Sequence, residues 1–342
     1  MSRPLVRDIA QIPWVANGFA TIQMPRGFGY RKLSFLLKMT GTRGAGNAGE
    51  PRDVSGAQYI RNIQLKADGQ NVPKSLDLET MHRLTQIRRG TRNVPYVYAA
   101  GHGADAGRAI LVQADLDFCF GWDNLRPMDG VYDTSNLTTL DLLVTFGAGA
   151  DTQNTAYDGA MSAESGTLYV RLHEEVGLDE SDRQQAWVVN EYSQRTIITA
   201  SNTKLQLKLN PGNFYQQILI KTSSLGVAIG NYASSSSNCI LNAVSVKAGT
   251  DVFFGLTGSG GSSGYSAKQL QLDNKSRYKV EAWPDGYYII DFTPDGHLAS
   301  MLDARKFTEL VVECDVNYLA AGDTIELYPV ELWKPALAAA GK

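Results

Sequence analysis

The second half of the sequence repeats the order of short apolar runs and turns found in the first half. Three blocks recur in the same order: residues 22–30 with 207–215, 63–69 with 244–249, and 140–144 with 310–314. Their separations are 185, 181 and 170 positions, a drift that loops of different length would produce. Strands that look alike by chance are the alternative explanation. The repeat predicts two copies of one β-fold in tandem.

Both halves consist of short runs typical of β-strands. In residues 109–118, apolar side chains recur at every second position, which is the pattern of a strand with one buried face. Turn residues such as Gly, Pro, Asn and Asp follow most of these runs. Strands are predicted at 19–24, 30–39, 59–67, 109–118, 137–146, 167–176, 203–209, 214–223, 239–248, 277–283, 287–292, 307–316 and 324–333.

Two helices are predicted between the strands. Ser75 is placed to cap the first, in which Leu78, Met81 and Ile87 recur at helical spacing. Arginines and a glycine then end this helix at position 90. Apolar residues at i, i+3 and i+4 predict a second short helix at 297–305.

Long loops between the strands, such as 41–56 and 119–136, favour jelly rolls over up-and-down barrels, which have short hairpins. The predicted fold class is therefore all-β, with two tandem eight-stranded jelly-roll barrels and short helices inserted between strands. The predicted segments are an N-terminal arm 1–16, a first jelly roll 17–178, a charged linker 179–186, a second jelly roll 187–335 and a C-terminal tail 336–342.

Composition and charge exclude several classes of protein. The formal net charge is −3, and a local basic cluster occurs only at residues 88–92, which disfavours direct and specific binding of nucleic acid. The three cysteines are far apart and form no CxxC motif, so neither a disulfide framework nor a zinc site is expected. Neither a secretory apolar segment nor a stretch of 18 apolar residues occurs, so we expect synthesis in a reducing cytoplasm.

At this level the sequence resembles the double-jelly-roll major capsid proteins of adenovirus and of tailless, membrane-containing phages such as corticoviruses and tectiviruses. In character it is closest to the corticovirus coat protein. The resemblance is carried by residues 12–30, the strand and turn at 65–72 with the helix that follows, the late block 286–316, and the last strand at 322–333. It covers most of the chain in order and character.

The resemblance implies a homotrimer in which three subunits contribute six barrels, so that a pseudo-hexagonal capsomer tiles an icosahedral virion. It implies partners of four kinds: further copies of the chain, penton or vertex proteins, minor capsid proteins, and the surface of an internal membrane. It also implies a location in the virion capsid after synthesis in the host cytoplasm, with no enzymatic activity and no cofactor.

Motifs for chemistry are weak. Residues 260–264 match the GxSxG nucleophile elbow of hydrolases, but they lie in a Gly/Ser-rich stretch instead of a strand–turn–helix context, which favours a loop. The histidines are scattered without metal-binding spacing, at His82, His102, His173 and His297. We expect no catalytic or metal site from either feature.

Acidic residues suggest two further possibilities. Carboxylates cluster at Glu174, Glu175, Asp179, Glu180 and Asp182, where a solvated linker is a better explanation than the paired acids of a glycosidase. A structural calcium ion is a second possibility, because several aspartates in predicted turns carry suitable oxygen ligands: Asp68, Asp123, Asp129 and Asp133.

Arg3 and Arg7 are the candidate contact residues. They lie in the predicted N-terminal arm, which contains Pro4 and is expected to be mostly unstructured. The arm is either a frayed end or an inner-face segment whose arginines contact anionic lipid headgroups or a neighbouring subunit.

Two other functions compete with that of a major capsid protein. One is a carbohydrate-binding or glycan-active protein on two jelly rolls, which would expose a line of Trp or Tyr on one face. The other is a minor vertex or spike protein of the same kind of virus, which the tandem repeat disfavours.

Overall fold

A computed structural model describes residues 3–43, 55–89, 96–98, 108–118, 131–149, 161–179, 188–224, 227–230, 239–255, 265–280, 283–294 and 298–333. The chain divides into two compact units, formed by residues 1–190 with 334–342 and by residues 191–333. Except for Asp179, the predicted linker lies outside the described residues, and so does the predicted tail 336–342.

The first unit is a β-sandwich with one α-helix among its described residues. Its strands are β1 (Arg3–Pro13), β2 (Phe19–Gln23), β3 (Gly29–Arg43), β4 (Ile60–Ala67), β5 (Asn71–Leu76), β6 (Tyr96–Tyr98), β7 (Arg108–Asp117), β8 (Tyr132–Asp133), β9 (Leu140–Phe146) and β10 (Met161–Val176). A 3₁₀ turn forms at Ser55–Tyr59, and helix α1 spans Leu78–Arg89. A further strand, β11 (Val188–Glu191), lies at the boundary of the two units.

Two antiparallel sheets enclose the core of this unit. One has the order β1-β10-β3-β7-β6, with β8 beside β3, and the other has the order β5-β4-β9-β2. Alternate residues of β3, such as Leu33, Phe35 and Leu37, are fully buried between the sheets. If the longer strands are numbered along the chain, the two orders are 1-8-3-6 and 5-4-7-2, which is the jelly-roll arrangement.

The second unit repeats the eight principal strands and the α-helix of the first in the same order. Its strands are β12 (Gln194–Ile197), β13 (Asn202–Leu209), β14 (Phe214–Ser224), β15 (Val227–Ala228), β16 (Leu241–Ala248), β17 (Asp251–Phe254), β18 (Tyr265–Ser266), β19 (Tyr287–Asp291), β20 (Leu302–Asp303), β21 (Leu310–Val316) and β22 (Thr324–Trp333). Helix α2 spans Ala267–Tyr278, and 3₁₀ turns form at Leu298–Ser300 and Ala304–Lys306.

The sheets of this unit repeat the strand order of the first. One joins β12, β22, β14 and β19, and the other has the order β13-β21-β16-β17. The predicted repeat blocks coincide with equivalent strands, because residues 22–30 run from β2 into β3 and residues 207–215 run from β13 into β14. The prediction of two tandem jelly rolls is confirmed.

The expectation of a mostly unstructured N-terminal arm at 1–16 is wrong for the part that the structure describes. Arg3–Pro13 forms β1, which pairs antiparallel with β10 from Arg3 opposite Val176 to Pro13 opposite Thr167. This segment is the first strand of the first jelly roll. Its apolar alternation is weak because it is an edge strand with exposed residues on both faces.

The second predicted helix is also wrong. Of the expected stretch 297–305, the described residues form 3₁₀ turns and the short strand β20, which pairs with β14. The α-helix of the second unit is α2, and it includes Arg277 and Tyr278 of the strand predicted at 277–283. The first helix is confirmed, but Ser75 lies in β5 and Asp77 caps the helix by accepting from the backbone amide of Thr80 at 2.5 Å.

Candidate assembly surfaces

The structure places Arg7 on β1, the first strand of the first jelly roll, instead of on an extended arm. Its guanidinium donates a hydrogen bond to Glu174 Oε2 at 2.9 Å and lies 5.0 Å from the ring centroid of Phe28. Because the Glu174 side chain is completely buried, its charge requires a partner, and Arg7 supplies one. Arg3, at the start of the same strand, is exposed.

Glu174 lies directly opposite a buried tyrosine on the neighbouring strand. Tyr30 of β3 is in register with Glu174 of β10, and its hydroxyl donates to the carbonyl oxygen of Pro25. Burial raises the pKa of Tyr30 well above its usual value, and the charge of Glu174 raises it further. The phenol therefore remains a neutral hydrogen-bond donor across the physiological pH range.

The second unit repeats this pair at equivalent strand positions. Tyr215 of β14 is in register with Glu331 of β22, and the Tyr215 hydroxyl shares its hydrogen between Asn210 O at 2.6 Å and Glu331 Oε1 at 2.9 Å. Glu331 also accepts from the Tyr192 hydroxyl and from Asn213 Nδ2. Burial, followed by the charge of Glu331, raises the pKa of Tyr215. Sequence alignment of the repeat already matched Tyr30 with Tyr215, but it gave no signal for the glutamates.

The two helices close equivalent sheet edges by hydrogen bonding to strand backbone. On α1, Thr85 Oγ1 accepts from the backbone amide of Asp115, and His82 Nδ1 lies 2.7 Å from Gln113 O. On this side of β7, residues 110–112 pair with β6, and the groups from α1 bind the backbone at Gln113 and Asp115 beyond them. The prediction that His82 lies on the helix is confirmed.

Helix α2 covers the edge of β19 in the same way. The Asn274 side-chain amide both donates to Ile289 O at 2.8 Å and accepts from Ile289 N at 2.7 Å, while Gln271 Nε2 donates to Tyr287 O at 3.3 Å. Both edges are thereby closed to pairing with another chain.

Several strands of four or more residues, among the described residues, pair with a neighbour on one side and present the other edge outward: β1, β2, β12, β13 and β17. Strand β13 carries exposed Lys204 and Lys208, a charge pattern that prevents unwanted strand pairing. The other four carry exposed apolar residues: Leu5 and Val6 on β1, Phe19 on β2, Ile197 on β12, and Val252 and Phe253 on β17.

The outer face of the first sheet has a depression of about 250 Å³ between β1, β10, β3 and β7. Arg171 donates to Asp8 at 2.7 Å at its rim, and Lys38 lies 5.2 Å from the ring centroid of Tyr169. The hydrogen bond from Arg171 lowers the pKa of Asp8. In this depression Arg171 and Asp8 therefore pair with each other, and Lys38 lies over an aromatic ring.

The other predicted site residues are dispersed. Glu174 and Glu175 are not in a solvated linker: both are buried in β10, and Glu175 accepts from Arg31 at 3.0 Å. Asp68 accepts from the Thr138 hydroxyl at 2.7 Å, a contact that lowers its pKa. Of the other residues in the acidic cluster and among the candidate calcium ligands, the structure describes Asp179 and Asp133. The rest lie outside the described residues.

The described ranges contain no group of three or more His, Cys, Asp or Glu side chains that could hold a metal ion. His173 lies on β10 beside Ser34, with its Nε2 3.2 Å from the hydroxyl oxygen. His102, His297 and the GxSxG stretch at 260–264 lie outside the described residues. Within the same ranges, no helix is long and apolar enough to cross a membrane.

Solved structures of viral capsid proteins are similar to the whole chain. The major capsid protein of STIV, the Sulfolobus Turreted Icosahedral Virus, matches with a TM-score of 0.72 and 15% identity over 99% of each chain. VP54 of PBCV-1 matches with a TM-score of 0.62 and 13% identity, over 97% of this chain and 94% of that one. The major capsid protein P2 of bacteriophage PM2 matches with a TM-score of 0.59 and 14% identity, over 97% and 99%.

No protein-family model matches the chain, and no curated protein matches its sequence. The likeness is therefore one of fold, and it extends through both jelly rolls. The chain has the double-jelly-roll fold that the major capsid proteins of these viruses share.

Proposed function

We propose that this chain is the major capsid protein of an icosahedral virus. The observation that carries the proposal is the match of both jelly rolls, over nearly the full length of each chain, to the coat proteins of STIV and PM2. Within the described residues, buried charges join neighbouring strands, as in the pairing of Arg7 with Glu174.

In this proposal three copies form a pseudo-hexagonal capsomer, and capsomers tile the virion over an internal membrane. Six similar barrels in a ring explain why one chain carries the same jelly roll twice. The further partners are vertex and minor capsid proteins. Arg7 is engaged by Glu174, so Arg3 is the predicted contact residue that is able to reach an anionic lipid surface or a neighbouring subunit.

A glycan-binding function has less support. Such a protein needs aromatic side chains aligned on one face. Among the residues whose side chains the structure describes, the well-exposed aromatic ones are Phe19 in the first unit and Phe253 and Tyr318 on separate elements of the second.

Electron microscopy of the purified protein at rising concentration tests the proposal. We expect particles with a hexagonal outline that associate into flat arrays or closed shells. A protein that stays as isolated single chains and binds immobilised glycans would contradict it.

A further inference from the structure

Exposed strand edges are an aggregation hazard unless they are guarded by charge, covered by another element or used for docking. In this chain β13 is guarded by lysines, and β7 and β19 are covered by helices. Strand β1 carries Arg3 and Pro4, and the short strand β17 carries Asp251, yet both strands also expose adjacent apolar residues that these features do not cover.

On both β1 and β17, two adjacent apolar side chains are exposed to solvent. Leu5 and Val6 are 47% and 53% exposed, and Val252 and Phe253 are 38% and 37% exposed. Successive side chains of a strand point to opposite faces of the sheet. Each strand therefore exposes apolar side chains on both faces of its sheet, although the Phe253 ring also packs against Phe307, with ring centroids 4.8 Å apart.

The two strands also carry complementary charges. Arg3 precedes the apolar pair of β1, and Asp251 precedes the apolar pair of β17; both are exposed, and neither has an ionic partner among the described residues. When the strands are aligned in parallel with Arg3 beside Asp251, Leu5 falls beside Phe253. The other charged residues in the middle of β1, Arg7 and Asp8, are engaged within their own sheet.

The remaining exposed apolar edge residues lack this complementarity. Phe19 of β2 lies in a stretch, residues 9–25, without any charged residue. Ile197 of β12 has Arg195 nearby, but Arg195 is 3.5 Å from Glu326 of its own sheet.

We propose that β17 of one copy of this chain docks edge to edge against β1 of a second copy, with Asp251 facing Arg3 across the contact. The inference rests on the proposed function, since it names the surface through which capsid subunits associate. Because the contact joins two different edges, it is heterologous, and a closed ring of three copies uses every β1 and every β17.

Lysine substitutions in the apolar pairs test the contact. Leu5→Lys and Val252→Lys each place an unpaired charge in it, so we expect association to weaken by about tenfold or more, measured by light scattering across a dilution series. Leu272→Lys on α2 is the matched control, because Leu272 is 38% exposed and lies outside the proposed contact; it should leave the mass distribution unchanged. Circular dichroism confirms that each variant is folded.

Charge reversal gives the sharper test. Arg3→Asp and Asp251→Arg should each weaken association, and the double variant should restore it, since the ion pair is rebuilt with its signs exchanged. An assembling wild type whose association is unaffected by the single reversals would overturn the edge contact and leave the capsid function standing. A wild type that never associates would overturn both.

Lipid binding is the rival explanation for Arg3. If Arg3→Asp abolishes binding to vesicles of three parts phosphatidylcholine and one part phosphatidylglycerol but leaves the oligomer intact, Arg3 is a membrane contact and the proposal is wrong. Unchanged vesicle binding together with weakened association supports the subunit contact.

Discussion

At the scale of single residues, the two jelly rolls are marked by a buried glutamate opposite a buried tyrosine. Glu174 with Tyr30 and Glu331 with Tyr215 occupy equivalent positions on the last and third strands of each sandwich. What differs is the partner: Arg7 neutralises Glu174, whereas neutral donors hold Glu331. A buried carboxylate at this position is thus stabilised by a cation in one unit and by neutral hydrogen-bond donors in the other.

Removing Arg7 should destabilise the first unit. Arg7→Met leaves Glu174 buried without its cation, and because Arg7 is partly exposed we expect a loss of about 2 kcal/mol of unfolding free energy. The double variant Arg7→Met with Glu174→Met should recover most of it. Urea unfolding measures both. Arg171→Met, which breaks the exposed pair with Asp8, is the control and should change little; an equal loss there would contradict the assignment.

A second residue-scale prediction concerns pH. The hydrogen bond from Lys247, at 2.6 Å, lowers the pKa of Glu313 below its ordinary value of 4.5. A carboxylate whose pKa is lower in the folded state stabilises the protein above its unfolded pKa, and this contribution disappears as the pH falls through the folded pKa.

Lys247→Met should therefore reduce stability at neutral pH and flatten the decline of the melting temperature below pH 4.5. Lys208→Met, which removes an exposed pair with Glu309, serves as the comparison. A variant that declines as steeply as the wild type would show that the pair does not stabilise the fold.

At the scale of elements, α1 and α2 use polar side chains at the same positions to close sheet edges. His82 and Gln271 are the fifth residues of their helices, and Thr85 and Asn274 are the eighth. His82 and Thr85 contact the backbone of β7, and Gln271 and Asn274 contact that of β19. The helices therefore act as substitutes for a neighbouring strand.

Truncating Asn274 tests this use of α2. Asn274→Ala leaves the buried amide and carbonyl of Ile289 without partners, and we expect a loss of about 2–3 kcal/mol together with faster hydrogen exchange at the Ile289 amide. Ser276→Ala, at an exposed position of the same helix, should do neither. Unaltered exchange at Ile289 in the Asn274 variant would refute the edge-closing function.

The residues that each element buries explain which elements were predictable from the sequence. Strands such as β9 and β21 were predicted because their apolar residues alternate toward the core. Helix α2 was missed because its buried face includes Gln271 and Asn274, so the apolar periodicity on which a helix prediction depends is interrupted. Strand β1 was missed because its apolar Leu5 and Val6 face outward at an edge.

At the scale of the whole molecule, the duplication is visible in sequence, in strand order and in buried contacts. The repeat blocks predicted both jelly rolls correctly, since core strands keep their character through divergence. The surfaces that join one copy to another are not predictable in this way, because an edge strand is defined by what covers it and not by its own pattern.

The central claim is that three copies of a double jelly roll form a closed unit. Native mass spectrometry measures it directly. The account predicts a dominant species of three times the chain mass of 37.3 kDa, with dimers appearing as a minor product of dissociation. A spectrum that contains a single copy at every concentration, or an even-numbered assembly without a trimer, would contradict it.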